Sequence, residues 1–200
     1  MCAVAAELAA LRPREGIEVV AVGVGPVEAA AGTARALAMR RYRAAINAGI
    51  AGGFRARTAV GDAVAVAVEY YVELGLEDGT AFPLPDGITL LRRAESDPDL
   101  LRACRDPRVG VRVGAGISSA TVTTTDARAA ELAARFGADV ESMEGFAFLR
   151  AAAAAAVPAV ELRGVSNLVG DRATNGWDFR AGAQAAVATT DALLDVLLAQ

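Results

Sequence analysis

The chain has 200 residues, 54% of them hydrophobic, and a formal net charge of -4, which is enough apolar material for a sizeable core and no basic excess for a nucleic-acid backbone. All 20 basic residues are arginine, and histidine is absent as well as lysine. A Walker A lysine, a pyridoxal Schiff base and Ser-His-Asp or Cys-His catalysis are therefore excluded, and any catalysis falls to carboxylates, amides, hydroxyls, arginine and backbone dipoles.

In chain order, Ala3 to Leu11 reads as a helix ended by Pro13 and Gly16, and Glu18 to Val24 as a strand. Pro26 stands at the first helical position of a helix reaching about Met39. Ala44 to Gly49 is the next strand, followed by a glycine-rich turn through Gly53. Gly61-Asp62 leads into an alternating strand, Ala63 to Val72, and then a loop or hairpin through Pro83, Pro85 and Gly87. Helix Pro98 to Cys104, strand Val109 to Val113 and strand Ala120 to Thr124 precede helix Ala127 to Phe136, for which Asp126 is the expected N-cap. A helix from Met143 to Ala156, a strand from Ala159 to Val165, an irregular segment through Trp177 and a helix from Phe179 to Leu198 complete the chain.

Valine-rich strands alternating with alanine-rich amphipathic helices predict an α/β class, with parallel strands connected by helices in a layered architecture. No repeat or linker divides residues 1–200, so one domain is expected. Only Met1 and Cys2 precede Ala3, where such a domain should carry its first strand, so that strand is expected to be missing. No uninterrupted apolar run has membrane-spanning length, and neither a membrane nor a nucleic-acid partner is expected. Cys2 and Cys104 have neither disulfide nor metal-ligand spacing, and no cofactor is expected.

Gly23-Val-Gly25-Pro-Val-Glu28 is half of a dinucleotide fingerprint, but Glu28 stands in place of the third glycine and no acidic residue closes the following strand. It reads as a tight strand-to-helix turn. The stretch Glu141-Ser-Met-Glu-Gly-Phe-Ala-Phe148, with Arg163-Gly-Val-Ser-Asn-Leu-Val-Gly-Asp-Arg172 after it, sets a carboxylate beside a thioether and delivers an amide at a strand's end. Such a set suits a clamp for a sugar and a base. Arg163, inside a strand, needs an acceptor, and Glu144, Glu161 or Glu7 is available.

With Ile46-Asn-Ala-Gly-Ile-Ala-Gly-Gly-Phe54, Val60-Gly-Asp62 and Ala3-Val-Ala-Ala-Glu7 in order upstream, the sequence resembles the nucleoside phosphorylase and nucleosidase superfamily. The resemblance implies a three-layer α/β/α sandwich around a central mixed sheet, and it implies that Glu7 activates water, that Met143 and Glu144 hold ribose, and that Ile50 and Gly52 lie at the substrate turn. It implies also that Asn167 faces the purine where adenine-directed nucleosidases carry aspartate, which points to a 6-oxopurine such as hypoxanthine. Asp171 is a second base-side candidate, or a loop aspartate, and Thr121 to Asp126 and Asn175 to Asp178 are candidates for a base loop and a lid. Asn47, where hexameric phosphorylases hold phosphate with arginine, implies water as acceptor. The expected activity is hydrolysis of a purine nucleoside by a cytoplasmic homo-oligomer, with a nucleoside as its small-molecule partner. The rivals are an adenine-directed nucleosidase, a phosphorylase and a non-catalytic nucleoside-binding relative.

Overall fold

In a computed structural model, residues 1–76, 80 and 82–199 are described. Six strands form one mixed sheet: β1 (Ala45–Gly53), β2 (Ala63–Tyr71), β3 (Arg93–Glu95), β4 (Arg112–Ser118), β5 (Val140–Ser142) and β6 (Ala159–Leu168), in the order β3-β2-β4-β5-β1-β6. The helices are α1 (Pro26–Met39), α2 (Pro98–Cys104), α3 (Asp126–Phe136), α4 (Gly145–Ala154) and α5 (Phe179–Leu198). The expected α/β class with a mixed central sheet is what forms.

The sheet closes on itself, because β2 pairs in parallel with β4 along one edge while residues 63–66 of its other edge pair antiparallel with β6. Ala51, Val64, Val66, Val140 and Val165 fill the inside of this ring. Helices cover the outside: α2 and α5 pack on Ala48, Ala65, Val160 and Leu162, α1 and α4 on Ala45 and Ala159, and α3 on Phe54, Ile117 and Val169. By length and composition α5 could cross a membrane. Its Val187, Leu193 and Val196 instead sit in the core against β6 and α2.

Several sequence expectations shift. Ala3 to Leu11 gives only a 3-10 turn, Ala5–Leu8, because the Glu7 side chain folds back onto Ala3 N and Val4 N. The glycine-rich turn expected after Gly49 is instead a continuation of β1, whose backbone bonds β6 as far as Gly53. The expected strand Val109 to Val113 begins at Arg112 and runs on to Ser118. Ala120 to Thr124 is a loop, with Thr121 carbonyl and amide both tied to the Ser119 hydroxyl. Thr125, not Asp126, caps α3 by accepting from Arg128 N. Strands β3 and β5, three residues each, are too short for alternation to reveal them.

Glu18 to Val24 has no strand of its own beyond a single parallel bridge from Ala21 to Cys2. Residues 1–3 stand where the missing strand was expected: Met1 N donates to Ile46 O, Ala48 N to Met1 O, and Val22 N to Cys2 O. That stub joins the first half of β1 to the segment before α1.

Helix α5 lies unusually near β6, since a Cβ on Gly164 would collide with the Gly182 carbonyl oxygen and come 2.7 Å from Ala186 N. Neither contact can yield without moving α5 backbone. We expect Gly164→Ala to destabilise the fold by about 1–3 kcal/mol or more, read as a lowered denaturant midpoint at unchanged slope.

Candidate active site

One cavity of about 530 Å³ opens at the C-terminal ends of the parallel strands β1 and β6, the usual position for a ligand in an α/β sheet. Ile50, Ala51 and Gly52 of β1, Ser142 at the end of β5 with Met143 and Glu144 after it, and Ser166 and Asn167 of β6 form its floor. Val4, Ala6 and Glu7 form one wall, Thr121 and Val122 another, and Trp177, Phe179, Arg180 and Ala183 of the α5 entrance a third.

Glu144 occupies the N-cap of α4 but makes no capping bond. Its side chain turns away: Oε1 accepts from Gly25 N at 3.0 Å, and Oε2 lies 3.6 Å from Arg163 Nη1. Gly25 has φ +86°, a conformation that glycine adopts without strain. The half-fingerprint turn at Gly23 to Glu28 therefore serves this carboxylate. Lone pairs of Glu144 remain for a ligand's hydroxyls, and Met143 lies next to it on the floor.

Glu7 is held by three amides. Its Oε2 accepts from Ala3 N and Val4 N at 3.0 and 3.1 Å, and its Oε1 from Ile50 N at 3.0 Å. A Cβ on Gly49 would sit 2.6 Å from Glu7 Oε1 and 3.0 Å from Arg163 Nη1, so glycine there lets the two charged groups approach.

A bulge between Ala51 and Gly52 pairs Gly52 with Asn167 and skips Ser166. Strict alternation would turn Ser166 away, but here both Ser166 and Asn167 reach the cavity, as bulges beside sites often permit. The Ser166 hydroxyl donates to Asn167 Oδ1 at 2.8 Å, and Asn167 Nδ2 donates to Leu168 O at 3.3 Å. One N–H of the amide is left for a ligand acceptor. Asn167 was expected just past the strand, yet β6 extends to Leu168.

Arg163 does not line the cavity. It is buried behind the floor, where Nε donates to Glu161 Oε1 at 2.7 Å, Nη2 to Asn47 Oδ1 and Nη1 to Ile50 O. Burial alone would lower its pKa, but Glu161 and Glu144 outweigh that and hold it above the ordinary arginine value. Asn47 is committed to this guanidinium and to Met1 O.

Asp171 is a correction. It is not among the cavity residues; its carboxylate accepts from Ala173 N within its own turn, and its amide donates to Asp126 Oδ1. Trp177, from the candidate lid, and Thr121 and Val122, from the candidate base loop, do line the cavity. Glu141 and Arg180 were missed. Glu141 is buried on the wall, accepting from Thr123 Oγ1 and Thr123 N, and burial raises its carboxyl. Only its place at the head of the Glu-Ser-Met-Glu run signalled it. Among the described residues no cluster of His, Cys, Asp and Glu is arranged to hold a metal ion.

A family model described as the phosphorylase superfamily matches residues 14–199. The chain belongs to the phosphorylase superfamily. Among curated relatives in the family, the futalosine hydrolase of Streptomyces coelicolor is 42% identical over 187 residues, covering 90% of this chain and 77% of that protein. The futalosine hydrolase of Thermus thermophilus is 35% identical, with 78% and 71% covered. Among solved structures, a 5′-methylthioadenosine/S-adenosylhomocysteine nucleosidase from Colwellia psychrerythraea in complex with adenine has the same fold, with a TM-score of 0.80, 21% identity and coverage of 98% and 93%. The futalosine hydrolase of Helicobacter pylori superposes with a TM-score of 0.73 at 15% identity, covering 87% and 77%.

In this superfamily member the Gly52 position controls the amide opposite it, since a Cβ there would lie 2.9 Å from Val169 Cγ2 and 3.3 Å from Asn167 Nδ2. We expect Gly52→Ala to keep the fold but displace the Asn167 amide from its present position. A shifted Asn167 side-chain amide resonance, beside a thermal midpoint close to that of wild type, checks this.

Proposed function

We propose that this chain is a futalosine hydrolase, cleaving the N-glycosidic bond of futalosine to hypoxanthine and dehypoxanthine futalosine in menaquinone biosynthesis. The observation that carries the reading is the convergence of Glu7, Met143, Glu144 and Asn167 on one cavity in a chain with futalosine hydrolases as its relatives.

Each residue has a role its surroundings suit. Glu144, whose Oε1 is already fixed by Gly25 N, accepts from the ribose hydroxyls, and Met143 packs on the sugar. As the glycosidic bond breaks, positive charge grows on the ribosyl carbon and negative charge on the departing purine. The free N–H of Asn167 meets the purine charge, and an amide with no proton to give suits hypoxanthine, whose O6 shares the charge. Glu7, pinned by its three amides, takes the proton of the attacking water. The water oxygen bonds to the ribosyl carbon, and the pair of electrons of the broken bond leaves with the purine.

With Asn47 turned toward Arg163, the cavity presents no arginine at that position to hold phosphate. We take residues 1–200 to work as one domain in a cytoplasmic homo-oligomer. Exposed Val24 and Phe179 at the cavity mouth support association of copies there.

Incubation with futalosine, with and without phosphate, should release hypoxanthine at equal rates and leave the free sugar product; a ribose 1-phosphate would refute the hydrolytic reading. Glu7→Gln should lower kcat by about a hundredfold or more with little change in substrate affinity, and parallel losses of activity and thermal stability would mark Glu7 as structural only. Asn167→Asp should shift the ratio of kcat/KM toward adenine nucleosides, because a protonatable carboxyl assists the poorer leaving group; an unchanged ratio would remove Asn167 from base reading.

A further inference from the structure

Beneath the floor of the cavity lies a second group of charged side chains that the reaction above does not use. Glu69 of β2 and Glu161 of β6 are both fully buried. The Ser142 hydroxyl lies between them, 3.4 Å from Glu69 Oε1 and 3.5 Å from Glu161 Oε1. The Ser118 hydroxyl donates to Glu69 Oε1 at 2.7 Å. Both serine oxygens also accept from the first turn of α4, Ser142 from Gly145 N and Ser118 from Phe146 N. Room for the two carboxyls comes from missing side chains: a Cβ at Gly116 would collide with Glu69 Oε2, and one at Gly145 with both oxygens of Glu161.

Charge does not balance if every carboxyl here is ionised. Among the described residues Arg163 is the side-chain cation here, and Glu161, Glu144 and Glu69 are set around it, with Glu7 and the Met1 ammonium beyond; four carboxylates would still outnumber the two cations. The hydrogen-bond pattern shows where the imbalance falls. Glu161 Oε1 takes the Arg163 Nε–H at 2.7 Å, whereas Glu69 meets only hydroxyls, and Glu69 Oε2 and Glu161 Oε2 are each buried without a partner. An isolated buried carboxylate is costly, and two neighbouring ones cost more unless a proton is held between them.

We propose that Glu161 is a positioning residue for the sugar clamp, acting on Glu144 through Arg163, and that Glu69 carries the proton that lets Glu161 remain ionised. With Glu69 neutral, Glu161 and Arg163 cancel each other. Arg163 then orients Glu144 at 3.6 Å without drawing it into a full ion pair, so Glu144 keeps its acceptor capacity for hydroxyls of the ligand. The proposal rests on the reading of Glu144 as the ribose contact.

The proton also links this group to stability. Burial raises the Glu69 carboxyl, and the charge of Glu161 raises it further, against the opposing pull of the two serine hydroxyls and Arg163; burial likewise raises Glu161, which Arg163 opposes and Glu144 reinforces. A carboxyl raised on folding binds its proton more tightly in the native state. Its contribution is therefore intact below the ordinary glutamate range and is lost as pH rises from there through the folded value.

The test uses the full chain with futalosine as substrate and two isosteric variants. Glu161→Gln should raise KM and lower kcat, together by roughly ten- to a hundredfold in kcat/KM, because Arg163, deprived of its charged partner, draws on Glu144. Folded Glu161→Gln with wild-type KM and kcat would overturn the positioning role. Infrared spectra of the wild type at neutral pH should contain the carbonyl stretch of a buried protonated carboxylic acid, absent from Glu69→Gln, and the variant should lose less thermal stability than wild type as pH rises. No such band, or a band that survives Glu69→Gln, would overturn the proton assignment even if Glu161→Gln failed to fold. If wild type leaves futalosine intact, the proposed activity fails, whereas the infrared result still decides the proton.

Discussion

The buried guanidinium of Arg163 is the constraint to which the rest of the site answers. A cation behind a sheet has to be matched on every side, and the chain matches it from four directions: Glu161 on its own strand, Asn47 and the Ile50 carbonyl on β1, and Glu144 at the head of α4. Each of those groups is thereby fixed. The strand pairing of β1 with β6 sets the first three at atomic spacing, and α4 is held by both its packing and this charge. Replacing the pair by apolar groups would be easier on stability, so the arrangement makes most sense as a means of placing Glu144 and the β1 backbone where a ligand meets them.

Glycines decide how closely these groups approach. Gly49 admits Glu7 and Arg163 to one another, Gly145 admits Glu161, and Gly52 admits Asn167. A sequence reader sees a glycine-rich run and infers a turn. In the structure, residues 49–53 are a strand, and the missing side chains are space for neighbours.

Much of the site was legible because the motifs carry it in short runs: Met143 with Glu144, Asn167 within Arg163 to Arg172, and Glu7 within Ala3 to Glu7. Helices α1, α2 and α5 were equally plain, each opened by a proline or a clear change of composition. Contacts between distant segments could not be read. The folding back of Glu7 onto Ala3 and Val4 replaced the expected helix, and the bulge at Ser166 lengthened β6. Three-residue strands give no alternation to detect, which hid β5 and, with it, the place of Glu141. Asp171 looked like a base-side acid from its distance to Asn167 along the chain, but the tight turn through Ala173 carries it away from the cavity.

Closure of the sheet bears on how this chain behaves among others of its kind. A strand at the margin of an open sheet offers unpaired amides and carbonyls to any passing chain. In the ring formed by β2, β4, β5, β1 and β6, the edges face one another; residues 1–3 cover the first half of β1, and of the six described strands β3 is the one laid against the outside, on Val68 to Tyr70. That outer strand is only three residues long, and its two exposed members, Arg93 and Glu95, are charged and paired at 2.5 Å. A short, charged margin is a poor template for edge-to-edge pairing. The same topology that brings Ile50 and Asn167 to one cavity thus also guards an alanine- and valine-rich chain against aggregation.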